Sequence, residues 1–128
     1  MIQKEIKFSD YVLERLSSLG VKHIFSITGG GVMHLVDSIA RNKDIEFAAV
    51  HNECFAGASA DAYARSSNGL GVAIGTTGPG LSNLFTSVVV AYQDSSPVLF
   101  IGGQVKSSDS SRINDFNVRQ NGTFEFDS

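Results

Sequence analysis

The chain has 128 residues, 42% of them hydrophobic and 18% charged, which suits one compact domain and excludes a disordered or fibrous polymer. Ten basic and 13 acidic side chains leave a net charge of −3 with no basic cluster, which argues against a nucleic-acid partner. The apolar runs at 88–91 and 98–101 fall far short of the roughly 20 residues of a membrane span, and no signal peptide opens the sequence. The single cysteine, Cys54, excludes an internal disulfide and a cysteine metal cluster, so the chain reads as cytoplasmic.

Phe8, Val12, Leu16 and Leu19 form one stripe at helical spacing, with Ser9 as N-cap and Gly20 as the stop. Residues 21–27 are short, β-branched and aromatic, and run as a strand into Thr28-Gly29-Gly30-Gly31. A second helix follows with Leu35, Val36, Ile39 and Ala40 on its apolar side. Residues 45–50 read as a buried strand. A helix from about Glu53 to Arg65 comes next, so rich in alanine and glycine that something must pack very close to it. Residues 71–76 are a third strand, Leu81 to about Tyr92 a third crossover helix, and 97–101 a fourth strand that tolerates proline at its start.

This alternation predicts an α/β fold: an open parallel sheet with helices on both faces and right-handed crossovers. From Gly102 onward the pattern fails. Residues 106–128 read as an irregular surface segment, so 1–128 is expected to be a single domain whose last part is missing, a piece of a longer protein.

Ligands of open parallel sheets bind beyond the carboxyl ends of the strands. Four places qualify: 28–31, His51-Asn52-Glu53, 76–80 and 102–104. Three are glycine-rich, which lets a ligand approach the backbone, and the other holds the sole carboxylate of the set, Glu53. A glutamate opening a helix has a plain explanation in the helix dipole. Beside two glycine turns it is also expected to face a largely dry cleft, the setting for an acid-base partner to a nitrogen heterocycle. No GxGxxG opens a helix, and neither GxxxxGK[ST] nor GxSxG occurs, so a dinucleotide-binding reading of the first turn is weak.

The ordered set His51-Asn52-Glu53, Asp61-Ala62-Tyr63-Ala64-Arg65, residues 75–84 (GTTGPGLSNL), residues 91–97 (AYQDSSP) and residues 101–105 (IGGQV) resembles the N-terminal pyrimidine-binding domain of thiamine diphosphate enzymes of the acetolactate synthase and pyruvate oxidase type. The resemblance runs from about Phe8 to Asp127. It implies that Glu53 hydrogen-bonds a ring nitrogen of the aminopyrimidine and is the catalytic group. It also implies that Thr28, Gly29, Thr76, Pro79 and Asn83 line the cofactor. Magnesium and the diphosphate would be held by a separate domain of the same or another chain, so no metal ligands are expected here. A homo-oligomer, at least a dimer, and a small 2-oxo acid substrate follow from the same resemblance. The competing class is a non-catalytic binding or regulatory module that keeps the fold.

Two positions depart from the acetolactate synthase pattern. Thr28 stands where a proline is usual, and with the triple glycine and 32–35 (VMHL) the turn is more similar to thiamine diphosphate proteins of surface-polysaccharide synthesis. In 122–125 (GTFE), Phe124 is kept and Glu125 replaces a glutamine, which disfavours an unpaired anionic substrate nearby. With His34 and His51, these two are the candidates to meet substrate. His23 reads as a half-buried polar position, Cys54 as a small core hydrophobe, and Val88 to Val90 as core.

Overall fold

In the computed structural model, which describes residues 5–105, the expected alternation is present. The order is α1 (Phe8–Ser18), β1 (His23–Ser26), a 3-10 turn (Gly30–Val32) leading into α2 (Met33–Arg41), β2 (Glu46–Ala49), α3 (Glu53–Ser67), β3 (Gly71–Gly75), α4 (Pro79–Gln93) and β4 (Val98–Gly102). The segment 106–128, including Phe124 and Glu125, lies outside the described residues.

The sheet has the order β2-β1-β3-β4 and every pairing is parallel. Strand alternation sorts the core into two layers. Ile24, Val72 and Ile74 face α1 and α2, joining Leu13, Leu16, Val32 and Ile39. Phe25, Ala73 and Phe100 pack with Ala56 and Ala60 of α3 and Leu84 of α4. The chain leaves β1 toward β2 and later returns across β1 to β3, so the order reverses between β1 and β3. Their carboxyl ends flank the topological switch point.

The crowding expected of the small-residue helix is there. A Cβ on Gly57 would overlap the Ser87 side chain of α4, and a Cβ on Gly71 would overlap the Ala60 carbonyl oxygen. At the far end of α3, Arg65 Nε lies 3.0 Å from Asp61 Oδ2 and its NH2 lies 2.6 Å from Asp94 Oδ2, tying α3 to the end of α4.

Five expectations need correction. β2 is not a buried strand: it lies at the edge of the sheet, with Glu46 and Ala49 exposed and Phe47 and Ala48 half-buried. On α2, Ala40 is exposed and Ser38 is buried beside Ile39, because Ser38 meets Ser9 and Asp10 of α1. The start of α1 is shifted in phase. Its N-cap is Lys7, with no side-chain cap bond, while Ser9 sits inside the helix, buried, with its Oγ 2.8 Å from Ser38 Oγ. The inward face is therefore Ser9, Leu13 and Leu16, and Phe8 is 78% exposed. Asp10 explains the rotation: it must reach Ser38 (2.6 Å) and Arg41 (2.7 Å) on α2. The stop is as expected, with Gly20 at φ +84° and Val21 N–H donating to the Leu16 carbonyl.

Val88 to Val90 are not core. The inward positions of α4 are Gly80, Leu84, Ser87 and Ala91, which leaves Val88 half-buried and Val89 and Val90 exposed. Cys54 is likewise exposed, and its thiol donates to the Asn83 carbonyl at 3.2 Å. His23 is half-buried as expected, its Nε2 3.3 Å from Glu46 Oε2 and its ring edge-on to Tyr63.

Candidate functional site

At the switch point the buried Ser26 hydroxyl donates to the Ile74 carbonyl at 2.9 Å, holding the ends of β1 and β3 together. The two following turns then interlock. The Gly31 N–H donates to Thr76 Oγ1 at 3.2 Å. A Cβ on Gly29 would stand 2.5 Å from Thr76 Cβ, and one on Gly31 2.6 Å from Thr77 Cγ2. Gly103, after β4, donates its N–H to the Gly75 carbonyl at 2.9 Å, and a Cβ there would stand 2.7 Å from the Gly31 oxygen. Three of the four strand-end turns thus meet through glycines.

The fourth brings the carboxylate. Asn52 caps α3 by accepting the Cys54 N–H at 2.8 Å, which places Glu53 in the first turn, where the helix dipole favours its charge. The dipole is only part of its setting. Asn83 Nδ2 of α4 donates to Glu53 Oε2 at 3.0 Å. Oε1 lies beside the first turn of α4, 3.0 Å from where a Gly80 Cβ would be, and that same Cβ would be 2.9 Å from Thr76 Cγ2. The start of α4 is shaped by Gly78 at φ +62° and by Pro79 in the first turn. Among the described residues, Asn83 is the one hydrogen-bond donor to this half-buried carboxylate.

Glu53, Thr76, Asn83 and Gly29 are therefore gathered at one sheet edge. Thr28 is exposed and joins them only as the neighbour of Gly29, and Pro79 is exposed at the head of α4. His51 is exposed beyond β2. His34 lines an open, largely apolar groove of about 640 Å³ with Phe8, Val12, Leu35 and Ile101, on the sheet face away from α3. Gly31 and Gly80 complete the site and were not singled out from the sequence. Their signal was in the glycine turns themselves, but only the neighbours across the fold show why a side chain is excluded. Among the described residues, no three or more His, Cys, Asp or Glu side chains gather as metal ligands, and no helix is long and apolar enough to cross a membrane.

A carboxylate with one oxygen held by an amide and the other beside bare backbone can share a proton with a flat nitrogen heterocycle. The donor set fits such a group, and the glycines hold it together: a Cβ on Gly29, Gly31 or Gly80 would meet Thr76, Thr77 or Glu53.

The chain is a parallel α/β domain with an oriented glutamate beside its switch point, and comparison with known proteins gives the family. The family described as "Thiamine pyrophosphate enzyme, N-terminal TPP binding domain" matches residues 6–127. The chain is 39% identical over 100 residues to the acetolactate synthase large subunit of Buchnera aphidicola subsp. Schizaphis graminum, an alignment covering 78% of this chain and 18% of that protein. It is 37% identical over 105 residues to the acetolactate synthase large subunit of Haemophilus influenzae (82% and 18%) and 42% identical over 100 residues to the acetolactate synthase of Arthrospira platensis (76% and 17%). The chain belongs to the N-terminal domain family of thiamine pyrophosphate enzymes. It spans less than a fifth of the length of these relatives.

Proposed function

We propose that this chain is the pyrimidine-binding half of a thiamine diphosphate-dependent 2-oxo acid decarboxylase or carboligase, similar to acetolactate synthase. The observation that carries this reading is the Glu53–Asn83 pair, at 3.0 Å, set against the glycine turns of the switch point. When bound, the cofactor supplies the nucleophilic carbon and electron sink that this chemistry needs. Glu53 holds a proton against a nitrogen of the aminopyrimidine ring, and Asn83 keeps the carboxylate turned toward it. Gly29, Gly31 and Gly80 make room for Thr76, Thr77 and Glu53, and Thr76 packs between the first turn and α4. Thr28 and Pro79 border the same site.

The diphosphate and Mg2+ are assigned to a second domain, of the same or another chain, because two phosphates need a divalent cation with oxygen ligands. Association into a homo-oligomer, at least a dimer, brings the two halves together. The substrate is a small 2-oxo acid, with His34, His51, Phe124 and Glu125 as the candidates on its side. A cytoplasmic location without nucleic-acid or membrane partners accompanies this reading, supported by the net charge and the single cysteine.

Glu53→Gln in the protein of native length is the test. The variant should still bind thiamine diphosphate with Mg2+, while deuterium exchange at the thiazolium carbon slows at least about 100-fold, the lower range for a lost acid-base group. Exchange at the wild-type rate would overturn the role of Glu53.

A further inference from the structure

Ser26 ends β1 on the same face as Ile24, where strand alternation calls for another apolar side chain against α1 and α2. The position holds a hydroxyl with no solvent exposure. Its Oγ lies 2.9 Å from the Ile27 carbonyl oxygen and 2.9 Å from the Ile74 carbonyl oxygen, so one hydroxyl proton is held between acceptors on two segments. A buried hydroxyl at an apolar position costs stability, which marks the place as functional rather than as core. β1 and β3 meet over only two pairs of residues, Phe25 with Ala73 and Ser26 with Ile74, against five for β3 and β4. The seam that opens into the cofactor site is the short one, and Ser26 stands at its last pair.

The two acceptors lie at matched places. Ile27 contributes the carbonyl of the peptide that enters Thr28, and Ile74 lies two residues before Thr76. Further out the same two segments are joined again by the Gly31 N–H, which donates to Thr76 Oγ1 at 3.2 Å, with Gly29 against Thr76 in between. Residues 26–31 and 74–76 thus form a loop closed at both ends, and Thr28, Gly29 and Thr76, assigned above to the cofactor, lie on it. Three consecutive glycines leave such a turn many conformations, and a turn that must be ordered on binding loses affinity. We infer that Ser26 is a positioning residue for the cofactor. Its hydroxyl fixes how the first glycine turn leaves β1 beside β3, and so presents Thr28, Gly29 and Thr76 in the arrangement that receives the aminopyrimidine. The inference rests on the function proposed above and adds a residue that, being fully buried, acts only through its neighbours.

The test compares the native-length protein as wild type, Ser26→Ala, Thr76→Val and the double variant. Thr76→Val removes the acceptor of the Gly31 N–H and opens the loop at its other end. In cofactor-free protein, hydrogen exchange at the Gly31 amide should quicken in Ser26→Ala toward the rate in Thr76→Val, while the amides of β3 and β4 keep their protection. Ser26→Ala should raise the Kd of thiamine diphosphate, measured with Mg2+, about tenfold, the cost of a turn no longer pre-organised. With Thr76→Val already present the rise should be less than about twofold, since a loop open at one end gains little from the other. Ser26→Cys keeps a weaker donor and should fall between, and it stands in for Ser26→Ala if that variant does not fold. Additive effects on Kd or an unchanged Gly31 amide would overturn the inference. So would exchange that rises equally across β3 and β4, because that reports lost stability alone. A wild-type Kd in Ser26→Ala removes only the positioning role, whereas a wild type that binds no thiamine diphosphate removes the proposed function as well.

Discussion

Asn83 donates to Glu53 across 3.0 Å from a different helix, 30 residues further along the chain. The bond leaves one carboxylate oxygen bound to the protein and the other beside the Gly80 backbone. Asn83→Ala should therefore leave the fold intact and lower turnover of the native-length enzyme by about 10- to 100-fold, the range for a mispositioned acid-base group. Asn83→Asp should do worse and move the pH-rate profile upward, because two carboxylates at this distance cannot both ionise easily. Steady-state kinetics across pH checks both variants, and an unshifted profile for Asn83→Asp would count against the pairing.

Gly80 separates binding from stability. Alanine there gains about 1 kcal/mol of helix propensity but puts a methyl 3.0 Å from Glu53 Oε1 and 2.9 Å from Thr76 Cγ2. We expect chemical denaturation to change little and cofactor affinity to fall at least about tenfold, a loss of roughly 1.4 kcal/mol. Equal affinity would show that the turn can yield without disturbing the carboxylate.

The contact between α3 and α4 at Gly57 and Ser87 is a second point without slack. Gly57→Ala should cost about 1–3 kcal/mol by overpacking. Adding Ser87→Gly should restore most of it, since that change removes the atoms with which the new methyl collides. A double-mutant cycle by urea unfolding reads the coupling directly, and additive losses would contradict it.

Acid should loosen the link between α1 and α2. The hydrogen bonds from Arg41, then Ser38, hold the Asp10 carboxyl below its ordinary value of 3.8, and Lys7, then Arg41, do the same for Asp37. Folded-state values below the unfolded ones mean that the stabilisation is present above about pH 4 and is lost as pH falls through the lowered values. Melting temperature between pH 6 and pH 2.5 should therefore drop less steeply in Arg41→Met than in wild type. Parallel slopes would remove Arg41 from the account. Salt should also flatten the wild-type curve, because these side chains are largely solvent-exposed.

The order of helices and strands, the parallel α/β class and the strand-end placement of Glu53 were all legible along the chain. Each depends on local periodicity, on glycine punctuation, or on a rule for which end of a sheet binds ligands. The phase of α1 was not legible, since a stripe through Phe8 and one through Ser9 differ by a single residue, and Asp10 reaching Ser38 and Arg41 selected the second. The surface positions of Cys54, Val89 and Val90 were hidden for a related reason: an apolar side chain does not declare which layer it faces. Glu53 itself could be a helix-opening glutamate and no more until α4 folds over it. Tertiary packing alone supplies Asn83 as its donor and turns Gly29, Gly31 and Gly80 from flexible punctuation into space that no side chain can enter, because those contacts join segments that local sequence never brings together.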